Sequence, residues 1–346
     1  MATQKTGLRD LFGRLLQDVR ISVTDRCNFR CPYCMPAEIF GERYQFLPQS
    51  EILSFEEITR LAHVFVGLGV TKIRITGGEP LLRSNLPELI QMMSNIDGLE
   101  DLSLTTNGYL LPQMAHSLKE AGLNRVTISL DSLDDDVFGE MNGRGFGVDK
   151  ILEAIDVAEK EELTPIKINT VVKRGVNDHT LMDLIEHFKG SNQILRLIEY
   201  MDVGTLNGWQ MDEVVPSKSI VESINEKYPI SPKQKTKNSE TADRYQYNDG
   251  TGELGFISSV SEPFCASCTR ARVSTDGKLF TCLFASDGMD LMPLVRDTST
   301  TDKDIENAIT SVWEHRSDQY SEERTAQTNE QSPSNKSKVE MYQIGG

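Results

Sequence analysis

Cys27, Cys31 and Cys34 crowd the stretch "DRCNFRCPYCMP" at 25–36. Three thiols are an odd number for a disulfide framework and one short of a closed tetrahedral zinc site. A [4Fe–4S] cluster takes one thiolate per iron. The C-x3-C-x2-C spacing therefore holds three irons and leaves the fourth for a ligand that is not protein. An iron with an open place can bind a ligand and reduce it directly. Zinc would need a fourth protein ligand, and His63, His116, His179, His187 and His315 all lie far off in sequence.

Cys265, Cys268 and Cys282 make a second set, in "CASCTRARVSTDGKLFTC". Asp276-Gly277 is a strong hairpin signal. A two-residue turn pairs Thr275 with Lys278 and sets Cys282 opposite Ala271, which returns it near Cys268. Two readings follow: a zinc knuckle lacking a ligand, or a second [4Fe–4S] cluster with an open iron. Arg270 and Arg272 share strand parity with Cys268 and should project beside it.

These residues need a scaffold. From residue 19 to residue 201 strand-like and helix-like segments alternate. The strands are "VRISV" (19–23), "KIRIT" (72–76), "LSLTT" (102–106), "RVTISL" (125–130), "PIKINTVV" (165–172) and "ILRLIEY" (194–200). Ser54 and Glu57 form a capping box ahead of a helix in which Ile58, Leu61, Ala62, Phe65 and Leu68 recur at helical spacing. Further helices are predicted over 86–95, 112–121, 148–161, 178–188 and 216–228. Six βα units in series give an α/β fold with a parallel sheet, open or curved toward a barrel. The first cysteine loop then sits at the C-terminal end of strand one, where such barrels place their chemistry.

One strand face reads Val19, Ile21, Val23, Ile73, Ile75, Leu102, Leu104, Val126, Ile128, Ile166, Ile168, Leu195 and Leu197. This face packs on helices. The other carries Arg20, Lys72, Arg74, Thr105, Ser129, Lys167, Asn169 and Arg196. Five buried cations without partners would be too costly, so the lumen is expected to be open, wet and shaped for an anion.

The 346 residues hold 36 Lys and Arg against 52 Asp and Glu, for a net charge of −16. That balance repels nucleic acid and anionic membranes as a whole. No apolar run is long enough to span a membrane. The start of the chain lacks the apolar core of a signal peptide, so cytoplasmic residence is expected. Six cysteines in that setting point to metal or redox chemistry.

C-x3-C-x2-C directly after a first strand resembles the radical S-adenosylmethionine (SAM) superfamily. That resemblance implies an incomplete (βα)6 TIM-like barrel. It also implies SAM chelated at the open iron and cleaved to methionine and a 5′-deoxyadenosyl radical. SAM contacts are then implied at Tyr33, Gly78 of "TGGEP", Ser129 and Met201. Nearly the whole chain is similar to the GTP 3′,8-cyclase family of molybdenum cofactor biosynthesis. The matching stretches are "VRISVTDRC", "TGGEP", "LTTNG", "ISLDS", "IKIN", "IEYMDVG", "GFIS", the C-x2-C-x13-C hairpin and the terminal "IGG". Residues 297–338 match least.

The family resemblance implies two [4Fe–4S] clusters, with the second binding the guanine edge of GTP. Arg20, Arg74, Thr105, Lys167, Arg196, Arg270, Ala271 (through its backbone) and Arg272 would be GTP contacts. No motif supports Lys72, and pairing with a carboxylate is its other reading. The radical would remove the C3′ hydrogen of GTP, and C3′ would bond to C8, giving (8S)-3′,8-cyclo-7,8-dihydroguanosine 5′-triphosphate. A low-potential electron donor is implied, with cyclic pyranopterin monophosphate synthase downstream. Monomer and homodimer both stay open. A radical SAM enzyme acting on a peptide is the competing reading; it would not need seven cations around its cavity.

The expected organisation is an N-terminal arm (1–18), the radical SAM partial barrel (19–230), a C-terminal auxiliary-cluster domain (231–323), and a flexible linker with a diglycine tail (324–346). Residues 231–252 read as a loop. Val339, Met341, Tyr342 and Ile344 would dock the tail. The resemblance then sends Gly345 and Gly346 toward the active site, where the terminal backbone meets Arg270 or Arg272.

Overall fold

The computed structural model describes residues 7–236, 239–327 and 338–345. Its first part is β1 (Asp18–Ser22), α1 (Phe55–Gly67), β2 (Lys72–Thr76), α2 (Leu86–Ser94), β3 (Asp101–Thr106), α3 (Leu111–Glu120), β4 (Arg125–Ser129), α4 (Asp135–Asn142), α5 (Asp149–Lys160), β5 (Lys167–Val172), α6 (Leu181–Phe188), β6 (Ile194–Glu199) and α7 (Ser217–Lys227). The expected strand phase holds. Val19, Ile21, Ile73, Ile75, Leu104, Val126, Ile128, Ile168 and Leu195 are fully buried against the helices. The capping box at α1 is present: Ser54 Oγ accepts from Glu57 N, and the Glu57 carboxylate accepts from Ser54 N. α4 escaped the sequence reading because it has eight residues and a weak apolar stripe; Asp134 starts it by accepting from Asp136 N and Val137 N.

The second part contributes β7 (Ile230–Lys233), β8 (Asp243–Tyr247), β9 (Glu253–Ile257), β10 (Arg270–Val273), β11 (Lys278–Phe280), β12 (Met289–Asp290), α8 (Met292–Arg296), α9 (Asp302–Glu314), α10 (Tyr320–Gln327) and α11 (Met341–Ile344). All twelve strands form one sheet, in the order β12-β11-β10-β1-β2-β3-β4-β5-β6-β9-β8-β7. β10 pairs parallel with β1, and β9 pairs parallel with β6. The six-stranded core is thus widened on both edges into eight parallel strands, flanked by antiparallel hairpins. It is an incomplete α/β barrel. Among the described residues no helix is long and apolar enough to cross a membrane.

Two local expectations are corrected. The loop expected over 231–252 contains most of β7 and all of β8, paired antiparallel. These are the outermost strands at that edge, and β7 is exposed for three of its four residues, so no apolar alternation marks it. The hairpin at Asp276-Gly277 has a three-residue loop instead of two. Ser274 N donates to Lys278 O, and Gly277 takes φ +79°, the geometry of a turn ending in a left-handed glycine. Arg272 therefore faces Phe280. Continuing that register sets Cys282 beside Arg270 instead of Ala271. A one-residue slip exchanges faces, and this one puts Cys282 with Cys268.

Candidate functional site

The inner face of the barrel bounds a cavity of about 640 Å³. All six cysteines are free and all six line it, in two sets of three. The parallel register puts the sets at opposite ends. Cys27, Cys31 and Cys34 follow the C-terminal end of β1. Arg270 faces Asp18, the first residue of β1, so Cys268 and Cys265 lie off the N-terminal ends of the strands. Five strand residues at about 3.3 Å each separate the ends by roughly 17 Å.

At the first end the cysteine loop is braced from the neighbouring strand ends. Residues 76–80 turn after β2, with Gly78 N donating to Thr24 O and Glu79 N to Arg26 O. A Cβ on Gly78 would collide with Arg26 O. The backbone that approaches this glycine is thus the chain's own, ahead of Cys27. Glu79 is buried and accepts from Thr106 Oγ1 and Asn107 N, both at 2.7 Å. Burial pushes its carboxyl up to about 7 despite those bonds. Tyr33 donates to Asp131 Oδ2 at 2.8 Å. Burial, with Glu79 nearby, pushes the Cys27 thiol up to about 12.

The second end is cationic. Burial raises the Cys268 thiol, but Arg270 and Arg316 outweigh it and carry the group down to about 6. Arg316 Nη2 and Arg270 Nη2 donate to Cys268 Sγ at 3.3 and 3.5 Å. Phe284 N donates to Cys282 Sγ at 3.5 Å. Backbone and cationic N–H groups on sulfur are what a cluster-bound thiolate accepts. Among the described residues no three His, Cys, Asp or Glu side chains are placed to hold a single ion. A cluster does not ask that of them, since each thiolate takes its own iron.

Between the ends lie the cations. Arg20, Arg74, Lys167, Arg196, Arg270 and Arg272 all line the cavity, with Thr105. Arg20 Nε, Arg74 Nε, Arg196 Nε and Thr105 Oγ1 are buried with no partner among the described residues. Burial and mutual repulsion bring Lys167 down to about 7 and Arg196 to about 9. An anion would relieve both. Lys72 pairs with Asp18 at 3.3 Å. Tyr33, Gly78, Ser129 and Met201 line the same cavity toward the first end. Ala271 does not: its side chain is fully buried in the core under the helices.

The tail reaches the cavity too. Tyr342 packs edge-on against Phe40 and shares a hydrogen bond of 2.8 Å with Tyr44. Arg272 Nη1 donates to Ile344 O at 3.1 Å and to Gly345 O. Gly346 and residues 328–337, the middle of the expected linker, lie outside the described residues.

Sequence reasoning missed Arg125, Glu79, Asp131, Asp202 and Arg316. Arg125 was findable, since it opens strand four with the parity of Thr127 and Ser129. Arg316 follows α9 and carries no strand signal at all. Asp202 follows Met201 and accepts from Tyr320 Oη at 2.6 Å, from Lys338 Nζ at 2.8 Å and from Arg324.

A family model described as Radical SAM superfamily matches residues 21–188, and one described as Molybdenum Cofactor Synthesis C matches 193–322. In fold the chain is similar to Streptococcus suis SuiB bound to S-adenosylmethionine (TM-score 0.60, 14% identity, 90% of this chain, 69% of that one). It is also similar to methylornithine synthase PylB (TM-score 0.51, 16% identity, 90% and 86%). The fold and the first cysteine loop are those of the radical SAM superfamily, whose members use SAM and iron–sulfur chemistry. Among curated relatives, the GTP 3′,8-cyclase of Acidothermus cellulolyticus is 49% identical over 92% of this chain and 88% of its own. That of Staphylococcus epidermidis is 47% identical over 99% and 100%. The chain belongs to the GTP 3′,8-cyclase family.

Proposed function

We propose that this chain is an enzyme that cyclises GTP to (8S)-3′,8-cyclo-7,8-dihydroguanosine 5′-triphosphate, the first step of molybdenum cofactor biosynthesis. The observation that carries the reading is a single cavity with a cysteine triad at each end and a cationic wall between. Cys27, Cys31 and Cys34 would hold one [4Fe–4S] cluster, and Cys265, Cys268 and Cys282 a second. When bound, the first supplies the electron that splits SAM into methionine and the 5′-deoxyadenosyl radical.

The chain's own residues bind, orient and enclose. Tyr33, aimed by Asp131, would contact the adenine of SAM, with Gly78, Ser129 and Met201 completing that subsite. Arg20, Arg74, Lys167 and Arg196 would grip the triphosphate, and Arg270 and Arg272 would sit beside the guanine end. GTP is then fixed at both ends. Its C3′ hydrogen faces the SAM subsite, and C3′ stays within bonding reach of C8. Held in one pose, a reactive centre meets its partner at a high effective concentration. Tyr342, Ile344 and Gly345 would close the cavity from the tail side and exclude water. A low-potential electron donor is required, and cyclic pyranopterin monophosphate synthase would take the product.

The test is anaerobic incubation of reconstituted protein with SAM, dithionite and GTP, followed by mass analysis. An isomer of GTP together with 5′-deoxyadenosine is expected. SAM cleavage with GTP recovered unchanged overturns the reading.

A further inference from the structure

We infer that Arg125 is a phosphate ligand in the cavity and that Asp101 is the residue that aims it. Arg125 opens β4, beside Ser103 of β3. Asp101, the first residue of β3, accepts from Arg125 Nε at 3.0 Å and Nη2 at 2.7 Å. Such a two-point fork fixes the plane of the guanidinium. The third nitrogen, Nη1, is buried and has no partner among the described residues. Arg125 is only 6% exposed, yet it lines the cavity.

A buried N–H left unpaired is costly, and Arg125 differs from Arg14, whose Nη2 is also unpaired among the described residues, in lining the cavity. Here one side of the fork is tied to Asp101, and Nη1 is left without an acceptor among the described residues on a side chain that lines the cavity. The neighbours explain what it waits for. Lys72, Arg74, Lys167 and Arg196 are close enough for Arg125 to act on each of them electrostatically. Five cations face two carboxylates, Asp18 and Asp101. That is an excess of three positive charges, of which a carboxylate would leave two uncompensated and a sulfate one. A polyphosphate chain carries several charges along one line and supplies acceptors for several forks at once. The geometry points to the phosphate chain of the substrate, with Arg125 as an added grip at the strand-start end of the barrel.

The identity of the nucleoside rests on the proposed function; the polyphosphate class does not. The test is calorimetry on the anaerobic holoenzyme with three probes: inorganic triphosphate, GTP and guanosine. Wild-type protein should bind all three. Arg125→Gln should weaken inorganic triphosphate and GTP by roughly ten- to hundredfold and guanosine by less than twofold. Arg125→Lys keeps the charge but loses the aimed fork, and should fall between. Asp101→Asn should raise KM for GTP several-fold with kcat unchanged, and a loss confined to kcat would remove Asp101 from the positioning role. Unchanged triphosphate affinity in Arg125→Gln overturns the inference. So does an equal loss for triphosphate and guanosine in both Arg125 variants, which marks a folding role. If wild type binds inorganic triphosphate but neither GTP nor guanosine, the GTP reading fails while the Arg125 assignment is still scored on triphosphate alone.

Discussion

Arg272 of β10 holds the carbonyls of Ile344 and Gly345, so a strand of the barrel's inner face is tied directly to the last described residue. Gly345 sits at φ +70°, and a Cβ there would collide with Thr76 Cγ2. A non-glycine residue in that region costs about 1–2 kcal/mol before any clash. Gly345→Ala should therefore displace the tail. The expected result is at least a tenfold loss of GTP cyclisation, with iron content and SAM affinity retained. Normal turnover by this variant, or by one lacking Gly345 and Gly346, would make the tail a bystander.

Lys167 should give GTP binding a pH dependence. Burial and the charges of Arg196, Arg125, Arg74 and Lys72 bring its ammonium down to about 7, from about 10.4 in an unfolded chain. Between those values the folded state holds fewer protons, so this group's penalty on stability is full below pH 7 and fades as pH rises. A bound triphosphate favours the charged form, so binding takes up a proton above pH 7. Affinity for GTP should fall as pH rises from 7.5 to 9, by up to about tenfold per unit. Lys167→Arg should flatten the profile. Calorimetry across that range decides, and a flat wild-type profile removes Lys167 from the phosphate site.

Iron content separates the two cysteine sets. Replacing Cys265, Cys268 and Cys282 with alanine should remove about half the iron and spare SAM binding. Replacing Cys27, Cys31 and Cys34 should remove the other half and abolish 5′-deoxyadenosine formation. Each loss follows from one thiolate per iron. A second triple variant that keeps its full iron content would end the two-cluster assignment.

Asp202 accepts from Tyr320, Arg324 and Lys338, so it ties α10 and the residues leading into α11 to the end of β6. Replacing it with alanine leaves largely buried cations without their carboxylate, at a cost of about 3–5 kcal/mol. Asp202→Ala should melt at lower temperature and be cut faster between α10 and α11 in limited proteolysis. An unchanged cleavage rate would mean that Glu340, Tyr342 and Arg272 hold the tail without help from Asp202.

What could be read from the sequence was local and periodic. Arg20 and Ile21 alternate in a strand whose two sides meet opposite environments, so their faces were legible. The cysteine spacings were legible because three ligands of one group must sit within reach on a short loop. The hairpin slipped by one residue because an Asp-Gly pair fits two- and three-residue loops alike, and only the pairing of Arg272 with Phe280 separates them. Arg316 and Asp202 were invisible for a different reason. Their partners lie far along the chain, and nothing in "EHRSDQ" or "YMDVG" says which distant group each will meet.

β1 is paired on one side by β2 and on the other by β10, near the far end of the sequence. During synthesis the first side is filled early. The other stays an open edge until residue 273 has been made, and an unpaired edge invites wrong partners. β6 waits a much shorter stretch for β9. The two rims of the barrel thus mature at different times, and contacts of such long sequence separation form slowly. The pocket around Cys27, Cys31 and Cys34 is walled by β1 to β6 before Cys265 and Cys268 exist. The two triads are therefore completed at different times in synthesis: the wall around the first is made before the thiols of the second have been added to the chain.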